Sequence, residues 1–337
     1  MRGCAGLERY APLEHHLAVT VRSALDSAFG SSKIDAITPI SGGASGAFPF
    51  RVEIGNRRCV VRVEGAASPL RNPHQYEAIR LAAEAGIAPK IYYIDETARV
   101  VVMDYIEDRP LSTFPGGPRA LAKAMGEMLR RIQTTPPFPQ FVEYPDIVAR
   151  LWKWVCGTGL FAPGVLDLYT ERLEHIRNAY VWDTTNLVSS HNDPIPSNVL
   201  FDGERLWLID WESAYRNDPL VDVAIALDNL APSLELENVL LEVWLSRAPD
   251  DALLARLDLI RSLTRLYYAG VLLSASAAAS GALADRHVSA PAFFEFRRTI
   301  REGRLKPGAP ETKHILGKMY LVSFLTGVRP PGLDAAV

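Results

Sequence analysis

The segment Ser189–Glu212, SSHNDPIPSNVLFDGERLWLIDWE, crowds His191, Asn192, Asp193, Ser197, Asn198, Asp210 and Glu212 around two short apolar runs. Asp193 and Asn198 stand at the two ends of a loop stiffened by Pro194 and Pro196. Asp210 follows the second apolar run, and the DGER between the runs is a hairpin signal. A hairpin closed in this way returns the end of its second strand to the start of its first, which sets Asp210 beside Asn198. A carboxylate next to an amide oxygen suits Mg²⁺, a hard cation that takes few protein oxygens and keeps room for phosphates and water. Asp193 is then free to accept a proton from a hydroxyl. These are the parts that phosphoryl transfer needs. A zinc site at His191 and Asp193 would need a third ligand, and none is apparent. His191 is better suited to orienting the loop backbone.

The rest of the chain sets limits on the function. Its 337 residues suggest two domains of roughly 150 residues each. Apolar residues make up 48%, charged residues 22% and the net charge is −3, with basic residues spread along the chain, so a nucleic-acid partner is not expected. The three cysteines, Cys4, Cys59 and Cys156, form neither a disulfide framework nor a C-x-x-C pair and fit a reducing cytoplasm. The opening MRGCAGLERY lacks the apolar core of a signal peptide. Leu266–Ala284 is free of charge but rich in Ala, Ser and Gly, which reads as a helix buried among helices, not as a membrane span.

Patterning places these residues in two regions. An amphipathic helix over 12–29 is followed by strands near 34–40, 48–54 and 58–63, a helix over 73–85 stopped by Gly86 and Pro89, and strands over 90–95 and 99–104. Beyond Tyr105 the pattern turns helical, over 117–134, 144–157, 165–184, 219–230, 235–247, 251–283 with a break expected at Gly270, and 311–326. The reading is an α+β protein with an amino-terminal lobe, 1–104, built of a leading helix, five antiparallel strands and one helix. A larger helical lobe, 105–337, follows it. The join carries no flexible linker, so a cleft between the lobes is the expected ligand site.

The order H-x-D-x-x-x-x-N, then Asp after a short hairpin, is that of kinase catalytic loops. HNDPIPSN…LIDWE resembles the aminoglycoside phosphotransferase and choline/ethanolamine kinase superfamily, and its HND form is closer to the choline kinase branch. The specific motifs lie within residues 40–110 and 189–224. The resemblance implies a bilobal protein-kinase-like fold and ATP with Mg²⁺ as cofactors. It makes Asp193 the catalytic base and Asn198 and Asp210 the metal ligands. It also assigns the amino-terminal lobe its parts: Gly42, Gly43 and Ser45 of SGGASGA beside the phosphates, and Arg62 of CVVRVEG gripping them. Glu77 on the following helix would position Arg62, with Glu84 as an alternative. Adenine would be read by backbone groups at Asp104–Ile106, and Met103 reads as a core residue.

Only WESAYRND separates Asp210 from the next helix at Pro219, too little for a platform that would hold a peptide. The expected acceptor is therefore a small molecule with a hydroxyl group, of the choline or ethanolamine kind. Such a cation asks for aromatic faces and acids, and the candidates are Trp211, Glu212, Tyr215, Asp228, Asn229, Tyr267 and Tyr268. The match departs from the family pattern at two points: Ser213 replaces the Tyr of I-D-W-E-Y, and Asn229 stands where the family has an acid. An aminoglycoside or macrolide kinase is the alternative enzyme, and a silent nucleotide-binding scaffold the alternative of another class. Asp222, at the start of the helix after the site, either bonds the loop or opposes the helix dipole.

Overall fold

The structure, a computed structural model, describes residues 15–31, 33–40, 46–65, 72–277 and 284–332. Helix α1, His15–Phe29, lies on a five-stranded sheet of β1 Ala36–Pro39, β2 Phe48–Ile54, β3 Arg57–Val63, β4 Ile91–Asp95 and β5 Val100–Asp104. All neighbours are antiparallel in the order β1-β2-β3-β5-β4, so β3 is central. Side chains alternate across a strand, and in β3 this turns Cys59, Val61 and Val63 into the core shared with Leu17, Val21 and Leu25 of α1. Arg62 therefore points from the opposite face, towards the helical part of the chain.

Helix α2, Gln75–Glu84, stops at Gly86, whose φ of 66° is a conformation that favours glycine. Its apolar face, Tyr76, Ala78, Ile79 and Ala82, packs into the large core formed with the later helices. Those later elements are α3 Gly117–Gln133, α4 Tyr144–Gly157, α5 Asp167–Ala179, β6 Val188–Ser190, β7 Val199–Phe201, β8 Leu206–Leu208, β9 Tyr215–Asn217, α6 Leu220–Leu230, α7 Leu234–Leu245, α8 Asp251–Ala277, α9 Phe293–Arg301 and α10 Pro310–Thr326. Strands β7 and β8 form the expected hairpin, Val199 opposite Leu208. The sheet and the helices are joined by main-chain bonds: Leu208 N–H donates to the Ile87 carbonyl at 3.0 Å, and Arg109 N–H to that of Phe201 at 2.7 Å. No helix among the described residues is long and apolar enough to cross a membrane.

Three features differ from the sequence reading. Helix α8 runs unbroken through Gly270, because glycine serves packing there: a Cβ would stand 2.7 Å from the Leu151 side chain of α4. Helix α5 ends at Ala179, not 184, as Tyr180 is extended and Asp183 caps a separate turn. The two-stranded sheet of β6 and β9 and the short α9 were not anticipated, since three- and nine-residue elements carry too little period to be read.

Gly126 sets the approach of α3 to α7, where an added Cβ would lie 2.7 Å from the Leu240 carbonyl and 3.1 Å from Val243 Cβ. Gly126→Ala is expected to lower stability by about 1–3 kcal/mol through overpacking, measured as a lower urea midpoint with unchanged slope.

Candidate active site

Two backbone devices set the loop 191–198. Asn192 and Asp210 both lie in the left-handed region, at φ of 64° and 63°, which short polar side chains adopt at least cost. The buried Asp222 carboxylate, at the first turn of α6, accepts N–H bonds from His191 at 2.8 Å and Asn192 at 2.6 Å. Asp222 thus bonds the loop, and burial pushes its carboxyl up to about 7 although both bonds pull it down. Asn192 continues the network, donating to the Ser213 carbonyl at 2.8 Å and accepting from Asn217 at 2.6 Å. His191 is buried against Trp211, with Nε2 2.8 Å from the Ile209 carbonyl and Nδ1 accepting the Asp193 N–H at 3.3 Å. Burial lowers its pKa to about 4. A neutral ring that joins both ends of the site fits an orienting role.

Asp193 is thereby presented with each carboxylate oxygen held. Tyr268 Oη donates to Oδ1 at 2.6 Å, and Asn198 Nδ2 donates to Oδ2 at 2.9 Å. Burial raises Asp193 to about 8, with Asp210 and Glu212 adding to the rise and the Tyr268 and Asn198 bonds opposing it. The hairpin does bring Asn198 beside Asp210: Ile209 N–H donates to the Asn198 carbonyl at 3.0 Å. With the Asn198 amide nitrogen committed to Asp193, its Oδ1 is the atom left to face a cation.

Arg62 reaches this cluster from β3. Its guanidinium bonds Asp210 Oδ1 at 2.7 Å, Glu212 Oε2 at 3.0 Å and the carboxylate of Glu64. The expected Arg62–Glu77 pair is corrected here, for Glu77 is exposed on the first turn of α2 and the acids on Arg62 are Glu64, Asp210 and Glu212. Glu84, the alternative, is exposed at the end of α2 and is not among those acids either. Glu64 was missed in the sequence, although it lies two residues beyond Arg62 and so on the same face of the strand. Glu212 is raised to about 7 by burial and by Asp210, against the pull of Arg62.

The remaining candidates divide. Tyr215, Tyr267 and Tyr268 come together with Tyr144, which the sequence reading did not single out: ring centroids are 6.0 Å apart for Tyr144–Tyr267 and 5.6 Å for Tyr267–Tyr268. Tyr215 stacks edge-on with Phe141 at 5.6 Å. Nearby carboxylates, Asp193 first, add to the burial that raises Tyr267. Asp228 is a correction. Arg261 and Arg265 clamp its carboxylate at 2.6–3.0 Å, so its charge is neutralised by two guanidiniums instead of awaiting an amine. Asn229 donates to the Ile225 carbonyl of its own helix at 2.8 Å. At the junction, Asp104 N–H already donates to the Lys90 carbonyl at 2.8 Å, and Ile106 has no backbone partner among the described residues. Gly42, Gly43 and Ser45 lie outside the described residues.

This geometry agrees with what the chain is similar to. Residues 36–259 match the phosphotransferase enzyme family. The chain belongs to that family. Its fold is the bilobal, protein-kinase-like one. A choline/ethanolamine kinase family protein from Mesorhizobium loti superposes with a TM-score of 0.62 at 21% identity, over 89% of this chain and 98% of that one. Spectinomycin phosphotransferase, solved with ADP and spectinomycin, superposes with a TM-score of 0.55 at 15% identity, over 77% of this chain and 86% of that one. Protein LicA of Haemophilus influenzae is 43% identical over 54 residues, which are 16% of this chain and 20% of LicA. The matched stretch thus spans about a fifth of that relative.

Asp193 keeps its proton in the folded protein far above the pH at which an unfolded chain releases it, so its ionisation costs stability between about pH 4 and 8. Asp193→Asn is therefore expected to melt increasingly above the unmodified protein from pH 5 to 8 in metal-free buffer, with the gap level beyond that. A gap independent of pH would contradict the assignment.

Proposed function

We propose that this phosphotransferase moves the γ-phosphoryl group of ATP to the hydroxyl group of a small cationic amino alcohol of the choline or ethanolamine class. The supporting observation is the Asp193 carboxylate, fixed between Tyr268 and Asn198 beside the acids of Asp210 and Glu212. In this reading residues 1–104 supply the nucleotide side and 105–337 the acceptor side. Asp193 accepts the acceptor hydroxyl and orients it for in-line attack. Gly42, Gly43 and Ser45 approach the phosphates through their backbone, and the Asp104–Ile106 backbone, chiefly the Ile106 N–H, meets adenine.

Among the described residues, three carboxylates, Glu64, Asp210 and Glu212, face the Arg62 guanidinium. Their surplus negative charge fits a divalent cation. Asn198 and Asp210 would hold Mg²⁺, which neutralises charge on the nucleotide phosphates. Arg62 then exchanges its carboxylates for phosphate oxygens, a match for the guanidinium fork. A cation held beside Asp193 would itself favour the ionised carboxylate.

The acceptor class is read from the wall opposite the phosphates. Tyr144, Tyr215, Tyr267 and Tyr268 form an aromatic cluster next to Asp193 and Glu212, buried except for the half-buried Tyr267, and aromatic faces with nearby acids attract quaternary or primary ammonium groups. Two enzymes that share the fold have names pointing to different acceptors, choline or ethanolamine for one and spectinomycin for the other.

A coupled ADP-release assay over choline, ethanolamine, aminoglycosides and spectinomycin decides between them, with turnover expected on the amino alcohols. Asp193→Ala should reduce kcat by about 10²- to 10⁴-fold while an ATP-induced thermal shift persists. Tyr267→Ala should raise KM for the amine far more than it lowers kcat. Turnover confined to the antibiotics would overturn the acceptor class, and undiminished turnover in Asp193→Ala would overturn the site.

A further inference from the structure

A second cleft, of about 660 Å³, opens between α5, α7, α8, α10 and the residues after α10. Its charged lining is Arg172, Arg261, Arg265, Arg329, Glu237 and Asp258. Arg265, Glu237 and Asp228 behind them are nearly inaccessible, at 4%, 8% and 7% exposure. Burial at that depth requires charges to be paired, and among the described residues the pairing falls short by one. Asp228 accepts from Arg261 and Arg265, and Glu237 accepts from Arg261 at 2.9 Å and from Arg329. Three guanidiniums thus share two carboxylates. The exposed Arg172 and Asp258 at the rim offset one another in charge, so among the described residues the cleft retains one positive charge.

Donors are left over as well as charge. A guanidinium carries five N–H groups. Arg329 spends one on the Ala231 carbonyl and one on Glu237, which leaves Nε and one N–H on each terminal nitrogen. Arg172 makes no ion pair among the described residues. Burial also pulls the Arg329 pKa below its ordinary value, and Asp228 opposes this. The cleft also borders the first turn of α7 at Ser233 and Leu234, the end of a helix that favours anions.

We propose that this cleft binds a small phosphate-bearing anion, either free phosphate or a phosphomonoester, between Arg172 and Arg329. Several oxygens on one centre match open donors that come from separate guanidiniums, and the volume leaves room for an organic substituent on the phosphate. The site is independent of the acceptor reading above. It shares two helices with the active site, since α6 carries both Asp222 and Asp228 and α8 carries both Tyr268 and Arg265.

The test is thermal-shift titration of the full chain with inorganic phosphate and, separately, with phosphoethanolamine, each against sodium chloride at matched ionic strength. A saturable shift is expected for the unmodified protein. Arg172→Gln and Arg329→Gln should each weaken it by about tenfold, as loss of one charge-assisted contact implies, while the shift produced by ATP with Mg²⁺ is kept. Arg172 is exposed and unpaired, so its variant keeps the test sound if Arg329→Gln folds poorly. A tighter response to phosphoethanolamine than to phosphate identifies a phosphomonoester site, and equal responses identify a phosphate site. A response no larger than that to chloride, or one undiminished in both variants, overturns the proposal. In the second case the anion occupies the nucleotide side.

Discussion

The active site depends on a carboxylate that faces no substrate. Asp222, buried at the first turn of α6, takes the main-chain N–H groups of His191 and Asn192. A loop with two prolines and a left-handed asparagine has no regular ladder to hold it. Without Asp222 those two N–H groups would be buried and unpaired, at a cost of about 1–3 kcal/mol each. With it, the loop is tied to a helix whose other face lies in the core, and Asp193 is presented on a rigid support. His191 serves the same end from the other side, joining the loop to the end of β8 through the Ile209 carbonyl. Precision at Asp193 is thus built by groups one layer behind it.

The second constraint is charge. After burial itself, Asp210 and Glu212 raise the proton affinity of Asp193, Asp210 and Glu64 raise that of Glu212, and Glu64 adds a fourth acid at Arg62. A fold that only had to be stable would gain nothing from such crowding, because each ionised group destabilises the next. One arginine offsets part of it. The surplus is what a nucleotide arriving with a divalent cation would neutralise, and Arg62 already stands where it can pass from carboxylates to phosphates. Stability given up at these positions is recovered in the large core of α3 to α10, to which the site itself contributes Trp211, Ala214, Tyr144 and Tyr268.

The contrast between what the sequence displayed and what it hid has a physical pattern. Asp193, Asn198 and Asp210 were legible because a five-residue interval and a tight hairpin fix their relation locally, and the period of two in β3 turned Arg62 towards them. The partner of Arg62 was not. A helix acid in the right order suggested Glu77, whereas strand alternation, applied one step further, would have pointed to Glu64. Asp228 looked like an acceptor acid because nothing local revealed Arg261 and Arg265, thirty-three and thirty-seven residues away. Tyr144 was passed over for the same reason: an aromatic residue in the first turn of a helix is usually core, and only the packing of α4 on α8 brings it to Tyr267. Long-range pairings of this kind are set by tertiary packing, which no local period records.

The short interval after Asp210 then determines where acceptor selection can reside. Residues 211–218 are spent on a single turn that buries Trp211 and on strand β9, which pairs with β6 directly before the loop. Carbonyls at Ser213 and Tyr215 in this interval are also taken, holding Asn192. The interval therefore braces the loop from beneath and leaves no extended edge to receive a peptide. Under the proposed function, selection would pass to side chains from α4 and α8, where Tyr144, Tyr267 and Tyr268 stand around the Asp193 carboxylate. Since Tyr268 both donates to Asp193 and packs in that aromatic wall, the residue that helps set the proton affinity of the candidate base also shapes the space for the acceptor. A substitution at Tyr268 would therefore change the acceptor space and the candidate base together, whereas Tyr267, half-buried and not bonded to Asp193, can change the space alone.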